Sequence, residues 1–171
     1  SYMTAFLCSS PFIGTNILSS HSGDRVAHSN RRHNGKTIKF TGLVYDGGNN
    51  MSAFRFNAPV SISGLTIDLS EAEYGANMLR AISTNSSLDV TDSTFIGNPD
   101  VPKGTAIIFG ETGFNPDAEI SISGSSFVDW TRRGVSDNEN GKDVKSVEIT
   151  DSEFDNADVV VSASEAITLT G

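Results

Sequence analysis

Five stretches of the chain repeat one order of apolar and polar positions: 38–45 (IKFTGLVY), 60–67 (VSISGLTI), 88–95 (LDVTDSTF), 120–127 (ISISGSSF) and 147–154 (VEITDSEF). A sixth copy opens at 167–171 (ITLTG). The first four positions of each copy alternate apolar and polar, the mark of a strand with one buried face. The fifth is Gly42, Gly64, Asp92, Gly124, Asp151 or Gly171. Gly and Asp tolerate a left-handed backbone, so a tight bend is expected there. Beyond the bend, Tyr45, Ile67, Phe95, Phe127 and Phe154 are expected to point back inside.

The second apolar position of each copy falls at Phe40, Ile62, Val90, Ile122, Ile149 and Leu169, at intervals of 22, 28, 32, 27 and 20 residues. A fixed motif at variable intervals describes a constant coil with side loops of different length. A second strand precedes each motif, at 53–56, 79–82, 106–109, 134–136 and 159–161. The pattern does not place a third strand. No segment has the length and 3.6-residue period of a helix, although 71–82 could form a helical turn. One coil cannot bury its apolar residues alone. Stacked coils pair like strands in parallel and set like side chains in columns, each large buried side chain contributing about 1.5–3 kcal/mol.

The segments LDVTDSTFIGN and VEITDSEFDN resemble the repeats of the pectin-lyase-like superfamily. The resemblance covers residues 36–171. It implies an all-β fold: a right-handed single-stranded parallel β-helix of about six coils, with residues 1–35 as a short N-terminal cap and polar loop. The handedness agrees with the crossover rule for parallel strands. The superfamily includes polysaccharide lyases, glycoside hydrolases, epimerases, phage tailspikes and surface adhesins, and the fold does not choose among them.

Composition narrows the partners. Hydrophobic residues make up 37% of the chain, which suits a thin core. The net charge of −9 is unevenly spread. Residues 1–40 carry five basic side chains and one acid, for +4; the rest carry seven basic and twenty acidic, for −13. An acidic body excludes nucleic acid as the main partner, because phosphate binding needs a basic face. Cys8 is the only cysteine, so no intrachain disulfide forms. No apolar run is long enough to span a bilayer. Residues 1–18 lack a charged segment followed by a continuous apolar run, so they do not read as a signal peptide.

The two ends differ. Phe6, Leu7, Phe12, Ile13, Ile17 and Leu18 could cap the first coil, and residues 19–36 read as a polar loop. At the other end the last strand runs off the chain uncapped. A bare parallel edge invites pairing. Further coils, another domain or a partner chain, including a second copy, are expected to cover it.

The segment Asp129-Trp130-Thr131-Arg132-Arg133 is the most suggestive chemically. A surface Trp beside an acid and paired arginines could line a sugar-binding groove by ring stacking and bidentate hydrogen bonding. By the resemblance, Arg132 or Arg133 would act near an abstracted proton, with Asp129 in the same catalytic site. The other reading packs Trp130 under the loop 131–142 and pairs the arginines with nearby acids. Asp46, Asp68, Asp129 and Asp155 follow the inward apolar position by one or two residues. Stacking, at about 4.8 Å per coil, could bring some together. Paired carboxylates can cleave glycosidic bonds, or bind a glycan through Asp46 and Asp68, and clustered ones could hold Ca²⁺. The other reading is turn chemistry. His21, His28 and His33 match no zinc spacing, and no cofactor is expected. Two glycosylation sequons begin at Asn50 and Asn85.

The leading expectation is a non-enzymatic β-helix module of a surface, secreted or virion protein, of adhesin or tailspike type, structural or contacting carbohydrate. The alternatives are a polysaccharide lyase or glycoside hydrolase acting on an extracellular polysaccharide, and a purely structural filament or spike segment.

Overall fold

The computed structural model describes residues 36–43, 51–73, 78–110, 115–137 and 143–171. These residues hold thirteen strands and no helix. The strands are β1 (Lys36–Leu43), β2 (Met51–Phe56), β3 (Val60–Ser63), β4 (Leu65–Glu73), β5 (Leu79–Thr84), β6 (Leu88–Thr91), β7 (Thr94–Ile96), β8 (Gly104–Phe109), β9 (Glu119–Ser123), β10 (Ser126–Asp137), β11 (Val144–Thr150), β12 (Glu153–Val160) and β13 (Ala163–Thr170). Every ladder between them is parallel.

Two sheets form a parallel β-solenoid. The five-stranded sheet runs β13-β11-β9-β6-β3. It stacks the alternating half of the motif, with Ile62 paired to Val90, Val90 to Ile122, Ile122 to Ile149 and Ile149 to Leu169. The eight-stranded sheet runs β1-β4-β7-β10-β8-β5-β2, with β12 also on β10. Its continuity comes from β10, which pairs with β7 through Phe127, turns a corner, and pairs with β8 through Val135. The solenoid makes about three turns, fewer than the six coils expected from the repeats.

The bend between the sheets rests on backbone chirality. Gly64, Asp92, Gly124 and Asp151 have φ values of 62, 49, 55 and 48°. Their amides continue the ladder to the next rung: Gly64 N donates to Thr91 O (3.0 Å), Asp92 N to Ser123 O (3.0 Å), Gly124 N to Thr150 O (3.1 Å) and Asp151 N to Thr170 O (2.9 Å).

One residue later a ladder of hydroxyls takes over. Leu65 N donates to Ser93 Oγ (3.2 Å), Ser93 N to Ser125 Oγ (3.1 Å) and Ser125 N to Ser152 Oγ (3.2 Å). Each hydroxyl donates to the carbonyl two residues before it: Ser93 to Thr91, Ser125 to Ser123 and Ser152 to Thr150, at 2.8–2.9 Å. Buried amides that the bend takes out of the strand ladder thus keep partners.

The core follows the bend. The rings of Phe95 and Phe127 stack at 4.9 Å between centroids and 4° between planes; Phe127 and Phe154 stack at 4.7 Å and 2°. Phe95 and Phe127 are fully buried. Ile67 pairs with Phe95 in the same column. Beneath Ile67 lies Ile38, not Tyr45. The first copy of the motif is therefore read in the wrong frame from sequence: β1 joins the eight-stranded sheet through β4, so Phe40 and Gly42 do not sit under Ile62 and Gly64. Tyr45 lies outside the described residues, as do residues 1–35 with their expected cap. The helical turn expected within 71–82 is replaced by strand at 71–73 and 79–82, with 74–77 outside the described residues.

Candidate functional site

The segment around Trp130 forms where β10 turns its corner. Asp129 takes a left-handed conformation (φ 58°), and Asn156, its counterpart on β12, takes the same (φ 51°). The Asn156 carboxamide donates to Asp129 Oδ1 at 3.2 Å. Short Asx side chains suit such a position because they tolerate the left-handed region. Asp129 thus has a conformational task besides its charge.

Past this corner Trp130 turns inward. It is 1% exposed, and its indole Nε1 donates to the Phe95 carbonyl at 3.0 Å. Of the two readings of the sequence, the surface ring is not what the structure has: the ring face is packed in the core, and its one donor is satisfied by backbone. Gly97 makes room for it. A Cβ at Gly97 would run into the Asp129 carbonyl oxygen and come within 2.9 Å of the indole.

Beyond Trp130 the register slips. Trp130 pairs with Ala157 and Val135 with Val159, so four residues of β10 stand where β12 has one. That bulge carries Thr131, Arg132, Arg133 and Gly134. Bulges re-aim side chains at the edge of a ladder. Gly134 faces inward, where a Cβ would lie 2.8 Å from the Phe154 ring. Thr131 bonds the neighbouring turn, accepting from Gly104 N (3.1 Å) and donating to Val101 O. Arg132 and Arg133 are half-buried. Arg132 Nη1 approaches Met78 Sδ at 3.5 Å, and Arg133 Nη1 donates to Ser136 Oγ at 2.8 Å.

The candidate carboxylates are spread along the axis. Asp68 pairs with Ile96, Ile96 with Val128 and Val128 with Asp155. Asp68 and Asp155 are therefore three rungs apart, about 14 Å at the usual strand spacing. Asp68 Oδ1 accepts from Ser70 N (3.0 Å) and Ser70 Oγ (2.6 Å), the turn chemistry that was the alternative reading. Asp129 is one position out of that column. Asp46 lies outside the described residues, as do Cys8, His21, His28, His33 and Asn50. Among the described residues no three His, Cys, Asp or Glu side chains gather to hold a metal ion, and no helix is long and apolar enough to cross a membrane. Asn85, which opens the second sequon, is 7% exposed and its Nδ2 donates to Asn57 Oδ1 at 3.2 Å.

The five-stranded sheet presents a different surface. Asp89 and Glu148 are exposed on it, among Ser and Thr side chains. At the start of two of its inner strands, β11 and β9, Lys145 Nζ donates to Glu119 Oε1 at 2.6 Å. That hydrogen bond, together with the charges of Glu119 and Glu165, holds the Lys145 pKa above its ordinary 10.5.

Sequence reasoning missed the seryl ladder, the Asn156–Asp129 bond and the space kept by Gly97 and Gly134. The ladder had a visible signal: Ser follows the bend residue at 93, 125 and 152. Gly97 and Gly134 had none, since the rings they face are distant in sequence. Set against protein-family models, curated proteins and solved structures, the chain matches none of them.

Proposed function

We propose that the chain is a structural β-solenoid module of a surface, secreted or virion protein, of the pectin-lyase-like kind, whose flank contacts glycan or protein. One observation carries this reading. The side chains with the most chemical promise are already engaged: Trp130 with the Phe95 carbonyl and Asp129 with Asn156 between rungs, Asp68 with Ser70 and Arg133 with Ser136 within one strand. Such bonds fix a rigid rod at the expense of a convergent reacting site.

Incubation with a panel of acidic and neutral polysaccharides tests it, followed by absorbance of unsaturated ends and assay of new reducing ends. The expected result is no product. Product that disappears in Arg132→Ala, Arg133→Ala or Asp129→Asn would replace this reading with a polysaccharide-cleaving enzyme. Trp130 gives a second readout. Its emission should be blue-shifted and shielded from acrylamide, and it should stay so when glycan is added, because the indole is packed in the core.

A further inference from the structure

We draw no further inference here: the strongest candidate, the apolar patch that Val160, Ile167 and Leu169 form on the last rung of the solenoid, carries nothing because nothing in the structure shows what covers it.

Discussion

The Asp92 carboxylate lies against the α-carbon of Gly124 in the next rung: a Cβ at Gly124 would stand 2.7 Å from Asp92 Oδ1. The bend column thus alternates Gly64, Asp92, Gly124 and Asp151, all with positive φ. At this pair the acid of one rung needs a bare backbone in the next, whereas at Gly171, beside Asp151, a Cβ would come no nearer than 3.9 Å. Alternation also keeps Asp92 and Asp151 two rungs apart, which weakens their repulsion.

Gly124→Ala is therefore expected to destabilise the fold by about 1–2 kcal/mol for the left-handed backbone alone, with the clash added. Urea unfolding followed by circular dichroism reads this out. Asp92→Gly in the same chain should recover the part due to the clash and leave the backbone part, so the two changes should not add. Additive effects would show that Asp92 and Gly124 do not touch.

Ser125→Ala removes the acceptor for the Ser93 amide. Ser93 is 1% exposed, so water cannot replace the lost partner without opening the bend. Leaving a buried donor unpaired costs about 1–3 kcal/mol. Ser121→Ala, on the outward side of β9 (Ser121 is only partly buried), should stay within about 0.5 kcal/mol. Equal unfolding midpoints for the two variants would refute a role for the hydroxyl ladder.

Phe127→Ala empties the middle of the aromatic column. Loss of a buried Phe costs about 3–5 kcal/mol, and here two stacked neighbours lose a partner. Phe154→Ala should cost less, since Phe154 is only partly buried and stacks on one side. Thermal unfolding should rank them with Phe127→Ala the less stable; the reverse order would contradict the column.

Lys145 titrates at the surface, where Glu119 favours its charged form. Its folded-state pKa lies above that of the unfolded chain. The pair's contribution is thus complete below pH 10.5 and fades as pH rises through the folded-state value. Glu119→Gln should bring the Lys145 titration, followed by NMR of the side-chain methylene signals, back toward its ordinary position. Added salt should move it the same way. A titration unmoved by Glu119→Gln would show that the ion pair does not persist in solution.

Much of the fold was legible because stacking turns a weak local pattern into columns. Ile62, Val90, Ile122, Ile149 and Leu169 are in register where the motif placed them. The first copy failed for a physical reason. β1 alternates through both Ile38 and Phe40, and a period of two fits either frame; only the neighbouring strand decides that Ile38 meets Ile67. In one coil the third strand escaped because it is short. β7 has three residues, too few to display alternation. The sequence leaves Trp130 open between surface and core because its charged neighbours suggest a surface. The left-handed residue before it turns the chain, and neither Asp129 nor its Asn156 counterpart announces that turn as a glycine would.

The seryl ladder gives the rod a chemical direction. Each hydroxyl serves the amide of the lower-numbered rung, so a rung is completed only by its successor. Removing a turn from the high-numbered side orphans a buried N–H in the turn that remains. Removing one from the low-numbered side leaves each ladder hydroxyl only an unused lone pair, the less costly loss, while ordinary strand amides such as Ser126 N on Ser93 O lose partners at either end. The stack is thus polar in its energetics as well as in its strands, and pulling it apart from opposite ends should meet unequal resistance.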